Sequence, residues 1–333
     1  MSLNKFFYSI AAMLLLIGAF IFACPFFITP EIIYPVRVDS LYVRFESEHS
    51  RSLNHDSLAI QSPAFFNPSS LGMKYENFDV QSPGGITLSG WYVSAEDADA
   101  NTILLLHDLS QSKINYLNMM KQMHDRGLNV CAIDMRAHGT SGGDEFSPGI
   151  IAVSDIKNVV DALIKKTETN HVAIFGAGIG AAVAIQVASV DDRIEALIAQ
   201  SPFDNFSDYV DRYVKRKWNY MGFFLHVVLN RKLEKQLQYE VKALDLSAVV
   251  KYVKTPTLFI CGSNDEISLP SETYAVYDSS GSKEKNLILV KKAMHNNIEQ
   301  TGGADYYNAI AQFIANVIPK KMKDTRYKKL AMQ

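Results

Sequence analysis

Cysteine is almost missing from this chain of 333 residues. Cys24, Cys131 and Cys261 are the only three, and no CxxC pair exists. That argues against the disulfide-stapled secreted scaffolds and the thiolate zinc sites. The eight histidines form neither an HxH nor an HExxH spacing, so no metal ion is expected. An excess of charge of one sign is missing too. Thirty-three Lys and Arg stand against 35 Asp and Glu, a formal net charge of −2, so no global field favours nucleic acid. No internal repeat is visible. Cys131 and Cys261 sit inside apolar runs and read as small core thiols.

One segment lacks charge altogether. Residues 6–28, FFYSIAAMLLLIGAFIFACPFFI, are long enough to cross a bilayer as a helix. The run exceeds a usual signal-peptide core, so residues 1–30 are read as an uncleaved membrane anchor. Cys24 follows Ile-Phe-Ala, a faint lipobox that Phe22 and Pro25 fit poorly. Lys5 and the amino terminus flank one side, Arg37 and Arg44 the other. The short N-terminal tail points to an N-in orientation, with the domain on the exoplasmic or periplasmic face. Residues 31–72 read as an extended juxtamembrane segment. The basic tail 319–333 is either a solvated terminus or a contact for anionic headgroups.

From residue 73 to 318 the pattern is that of a folded domain. YENFDVQS and ITLSGWYV alternate and meet at Pro83-Gly84-Gly85, predicting a hairpin. TILLLH (102–107), NVCAID (129–134), HVAIFG (171–176), IEALIAQ (194–200), TPTLFICG (255–262) and NLILVK (286–291) are short apolar runs, as in strands buried on both faces. Helical stretches are read at 113–126, around 150–166 and after 178. Such alternation implies an α/β fold, a mostly parallel sheet with helices on both faces. Residues 203–250 break the rhythm and read as an inserted helical cap. The apolar residues of its KWNYMGFFLHVVL stretch (217–229) pack on the main domain, line a pocket or touch the bilayer.

The stretch AIFGAGIGAAVA (173–184) fits two machines. Gly176, Gly178 and Ala181 match the dinucleotide fingerprint G-x-G-x-x-G/A. That reading requires an acid at the end of the next strand, where Gln200 and Ser201 stand instead, and Asp204 comes late. The other machine is the nucleophile elbow, G-x-S-x-G, a strained strand-to-helix turn. Both flanking glycines, Gly176 and Gly180, are present, and the centre is Gly178.

Five segments in order resemble the α/β-hydrolase superfamily over about residues 73–318. They are TILLLHD with its following helix, CAIDMRAHGTSGG, the elbow, CGSNDEISLP (261–270) and LVKKAMHNNI (289–298). The likeness is to membrane-anchored members similar to serine aminopeptidases and monoacylglycerol lipases. It implies a fold with a helical cap, no cofactor, and Asp265 and His295 as catalytic acid and histidine. Gly178 would be a vacant nucleophile position, and the backbone N–H groups of Leu109 and Ile179 the oxyanion hole. Two further departures stand out. Asp108 occupies a position where the family has glycine, and would repel an oxyanion if aimed inward. Ala137 replaces another family glycine. The resemblance thus implies a hydrolase relative that has lost its nucleophile and binds a small hydrophobic ligand or peptide in its pocket. An alternative is an atypical ester or amide hydrolase that uses His295-activated water or a displaced Ser110, Ser112 or Ser201. A dinucleotide-binding protein is a more distant alternative. On the elbow reading, restoring serine at 178 is expected to recover turnover.

Overall fold

A computed structural model describes residues 67–318 apart from 98, 110, 168–170, 219–229, 232 and 236–242, with scattered residues between 7 and 23. The juxtamembrane segment up to residue 66, the middle of the cap and the basic tail lie outside the described residues. So does part of the N-terminal run. Its described residues are helical and exposed, Leu15 at 75% and Leu16 at 71%. Among the described residues no helix is long and apolar enough to cross a membrane.

Among the described residues ten strands form in chain order: β1 Glu76–Asn77, β2 Val80–Ser82, β3 Ile86–Leu88, β4 Gly90–Val93, β5 Thr102–Leu106, β6 Asn129–Ile133, β7 Val172–Ala177, β8 Ile194–Gln200, β9 Thr257–Gly262 and β10 Lys285–Val290. Eight make one sheet in the order β1-β4-β6-β5-β7-β8-β9-β10. From β6 to β10 every pairing is parallel; β4 and β1 are antiparallel. Every residue of β5, β6, β7 and β9 is buried, which is why these segments read as unbroken apolar runs. The expected hairpin forms along both segments in one register: β2 pairs with β3 across Pro83–Gly85, and β1 pairs with β4, which carries the hairpin into the main sheet.

Helices cover both faces. They are α1 Leu117–His124, α2 Ile150–Thr167, α3 Ile179–Ala188, α4 Phe206–Trp218, the short α5 Leu246–Val249, α6 Pro270–Ser279 and α7 Ile298–Val317. One core joins α2, α3, α4 and α6 to the sheet through Ile156, Val183, Val210 and Val276. The other joins α1 and α7 through Met120 and Ile310. Residues 113–126, expected as one helix, divide into a 3₁₀ turn over Lys113–Tyr116 and then α1. α7 is broken at Gly303, whose φ is 54°. Cys131 and Cys261 are buried free thiols on β6 and β9.

Candidate active site

In parallel sheets the functional loops gather at the carboxyl ends of the strands. The loops after β5, β7, β8, β9 and β10 bring Asp108, Gly178, Ser201, Asp265 and His295 together there. β7 enters the turn at Ala177, and α3 leaves it at Ile179. Gly178 between them has φ 52° and ψ −114°, a conformation that glycine reaches without the strain of a Cβ. The flanking glycines are required by space. A Cβ on Gly180 would lie 2.8 Å from the Leu106 carbonyl carbon and nearer still to its oxygen. A Cβ on Gly176 would lie 2.6 Å from the Ala181 nitrogen. α3 therefore packs backbone to backbone on the sheet, and this close approach sets the elbow.

The side chain that faces Gly178 is Asp108. Its Oδ1 accepts from the N–H of Leu109 at 2.7 Å and of Ile179 at 2.8 Å. Those are the two donors expected to form the oxyanion hole, so a carboxylate oxygen of the protein itself sits in the hole. The Tyr209 hydroxyl of α4 adds a third donor at 3.3 Å. Asp108 Oδ2 pairs with His295 Nε2 at 2.9 Å, and His295 Nδ1 pairs with Asp265 Oδ2 at 2.8 Å. A Cβ built on Gly178 would stand 2.6 Å from Asp108 Oδ2 and closer to Cγ and Oδ1. The carboxylate thus occupies the space into which a side chain at 178 would project. The sequence suggested only repulsion between Asp108 and an oxyanion; in the fold its carboxylate takes up the two N–H groups expected to form the hole.

The electrostatics follow from that arrangement. Burial alone would lower the His295 pKa, but hydrogen bonds and charges from Asp108 and Asp265 outweigh it and push it up to about 10. Carboxylates only accept, so an imidazole bridging two of them carries a proton on each nitrogen. Burial alone would raise Asp108. The hydrogen bond and charge of His295, with the N–H groups of Ile179 and Leu109, hold it below the ordinary carboxylate range instead. The pairing thus favours an imidazolium at His295 against a carboxylate at Asp108. His295 is therefore a proton donor here and no base.

The surrounding shell fixes each part. His107 accepts from the Met135 N–H through Nε2 at 3.0 Å, so its Nδ1 carries the proton and donates to the Asp108 carbonyl at 2.8 Å. Asp134 binds the Lys113 N–H, the Lys113 ammonium and the Thr140 N–H, all within 2.9 Å, holding the turn after β5 to the loop after β6. Arg136 makes two 2.7 Å bonds to Asp155 of α2, which also accepts from Ser82 of β2. Ala137 has φ 64°, the left-handed region that glycine enters with less strain, so the departure expected from the family pattern falls where a Cβ is least welcome.

Two of the alternative nucleophiles, Ser112 and Ser201, are engaged in other hydrogen bonds. Ser112 caps the 3₁₀ turn at Lys113–Tyr116. Ser201 Oγ donates to Asp265 Oδ2 at 2.8 Å. It orients the acid, a role the sequence did not suggest. Ser110 lies outside the described residues. For the dinucleotide reading, β8 ends in Gln200, whose side-chain oxygen accepts from the Tyr306 hydroxyl at 2.7 Å, and no acid stands there. Tyr209 was also missed, because nothing local in α4 signals a partner 101 residues away.

Asp108, Gly178 and His295 open into a cavity of about 540 Å³, walled also by Ile114, Tyr116 and Phe175 and by the polar Asn115, Gln200 and Gln300. That size suits a small organic ligand.

A family model described as serine aminopeptidase, S33, matches residues 97–242. The α/β hydrolase domain-containing protein WAV2 of Arabidopsis thaliana is 26% identical over 267 residues, 77% of this chain and 84% of that one. A solved esterase of Pyrococcus furiosus, Pf2001, superposes with a TM-score of 0.63 at 21% identity, over 76% of this chain and 94% of its own. A solved membrane phospholipase A gives a TM-score of 0.57 at 13% identity, over 95% of this chain and 100% of its own.

Proposed function

The chain belongs to the α/β-hydrolase superfamily, and from that premise we propose a membrane-anchored member that no longer performs serine-dependent acyl transfer. It keeps the pocket and binds a small hydrophobic or peptide-like ligand there. The observation that carries this reading is Asp108. Its carboxylate fills the oxyanion hole, stands where a serine at 178 would stand, and keeps His295 protonated. Acyl transfer needs a nucleophile, a free hole and a basic imidazole. All three are withdrawn at once. Losing the nucleophile alone costs about 10⁶-fold in a serine hydrolase. The uncharged run at 6–28 supports the anchor, as does the likeness to a membrane phospholipase A over 95% of the chain.

The test is ester hydrolysis with fluorophosphonate labelling. Wild type is expected to be inert. Gly178→Ser alone stays inert, because its Cβ collides with the Asp108 carboxylate. Gly178→Ser with Asp108→Gly empties the hole, frees His295 and gains labelling. Wild-type ester turnover that disappears in His295→Ala would overturn the reading.

A further inference from the structure

The cavity does not open beneath the cap. Among its described lining residues none belongs to 203–250. Its mouth lies between the 3₁₀ turn Pro68–Leu71, α1 and the start of α7, with Ser70, Leu71, Asn118 and Gln300 on its walls. We propose that this mouth is a bilayer-docking face, with Leu71 and Met294 seated among the headgroups of an anionic leaflet and Lys291 and Lys292 paired to those headgroups. The proposal rests on the reading of residues 6–28 as a membrane anchor, and adds the orientation that the anchored domain takes.

Four observations carry it. The first is where the chain arrives. The described part of the domain begins at Asn67, which caps the 3₁₀ turn, so the chain coming from the uncharged run reaches the domain at the mouth itself. The second is apolar exposure. Leu71, on the cavity wall, is 40% exposed, and Met294, next to the wall residue His295, is 49% exposed. Apolar surface of this kind beside a cavity marks an interaction site. The third is that the Met294 loop is fixed. Lys292 has φ 65°, a conformation that costs energy for a residue with a Cβ. Ser263 Oγ accepts from the Lys292 N–H at 2.7 Å, the Asn297 side chain from the Met294 N–H at 2.7 Å, and the Ala293 carbonyl from the Asn264 N–H at 2.8 Å. Folding thus holds Met294 in the open, where the hydrophobic effect alone would bury it. The fourth is charge. Lys291 and Lys292 are exposed, and neither forms an ion pair among the described residues. The acid at the rim, Glu299, is taken up by Asn118 at 2.7 Å and by the Tyr307 hydroxyl at 2.5 Å.

An anionic leaflet attracts lysines close to its surface, and the attraction fades within a Debye length, about 8 Å at physiological salt. Apolar side chains gain by leaving water for the boundary between headgroups and acyl chains. Two of each are too few to hold a free domain on a membrane. On a chain already tethered there the contact is intramolecular, and a high effective concentration favours it. The face then orients the domain and does not recruit it. The carboxamides of Asn115, Asn118, Asn296 and Gln300 line the mouth and bring no charge to headgroup level. A rival face stands at the opposite end of the sheet, where Tyr252 is exposed before β9 with Lys251 and Lys254 on either side. The chain does not enter there, and no wall of the cavity reaches it.

The experiment uses the full chain reconstituted in vesicles that contain phosphatidylglycerol. A Cys24→Ser background leaves only the buried thiols of Cys131 and Cys261. An environment-sensitive fluorophore is attached in turn at Leu71→Cys, Met294→Cys, Val190→Cys and Tyr252→Cys, each checked for folding by circular dichroism, and its quenching by spin-labelled lipid is read. Labels at 71 and 294 are expected to shift to the blue and to be quenched, and labels at 190 and 252 to do neither. Lys291→Glu with Lys292→Glu, or salt near 1 M, where the Debye length falls to about 3 Å, is expected to remove most of that quenching. That pattern supports the proposal. Unquenched labels at 71 and 294 overturn it, as does quenching at 252 in their place, and as does quenching that the charge reversal leaves intact. Alkaline extraction of the same vesicles tests the anchor separately. A retained chain with unquenched labels at 71 and 294 overturns this proposal alone. A released chain overturns the anchor, and this proposal with it.

Discussion

Asp108 decides the state of three other groups at once, and the consequences are measurable one residue at a time. With Asp108→Asn, His295 loses a carboxylate partner, and its pKa should fall from about 10 toward the ordinary histidine range. An NMR titration of the imidazole checks this; a value unmoved by the substitution would contradict the pairing. The same pair sets a dependence of stability on pH. His295 is raised in the folded state above its unfolded value of 6.5. Its contribution is therefore complete below about pH 6.5 and is lost as pH rises through about 10. Chemical denaturation of wild type should show stability declining across that window, and Asp108→Asn should flatten the decline.

At the scale of elements, two devices hold the site. The first is the seating of α3 on β5 and β7 without side chains between them. Gly180→Ala puts a Cβ into the Leu106 carbonyl, which can relax only if the helix shifts. Overpacking of this kind costs about 2–3 kcal/mol. Urea denaturation should register that loss, whereas Ala at an exposed helix position would not produce it. The second is the Arg136–Asp155 pair, which joins the loop after β6 to α2 and, through Ser82, to the hairpin. Asp155 is almost fully buried. Arg136→Met strands its charge and should cost about 3 kcal/mol. Replacing both partners with apolar residues should recover much of that loss.

At the scale of the whole molecule, the domain and its N-terminal run are separable in their demands. The domain buries two cores of its own, one on each face of the sheet. Residues 6–28 offer no charge to water, and the described ones among them are exposed. The full chain is expected to stay with membranes after alkaline extraction, and residues 31–333 to be released. Release of the full chain would argue against an anchor. A shortened protein that still pellets with anionic vesicles would assign the attachment to the basic tail instead.

The sequence alone determined the sheet and the order of the site loops. Strands buried on both faces must be continuously apolar, so β5, β6, β7 and β9, and nearly all of β8, each show in a few residues; β10 reads alike but is an edge strand with no fully buried residue. The strand pattern did not name the site: Asp265, His295, Gly178, Leu109 and Ile179 were candidates through the resemblance to the α/β-hydrolase superfamily, and the fold gathers them at the ends of these strands. The hairpin was legible too, since two alternating segments around Pro83-Gly84-Gly85 pair in one register; that its outer pair joins the main sheet through β4 was not. What Asp108 does was not legible at all. A residue next to a strand end can face solvent, the hole or the elbow, and its sequence neighbours are the same in each case. Only the tertiary structure brings the Ile179 N–H, the Leu109 N–H and His295 around one carboxylate, from segments 71 and 187 residues away. The missing Cβ of Gly178 opens the space, and the hydrogen bonds of three separate loops fill it. That is long-range packing and electrostatics, which no local pattern in a chain encodes.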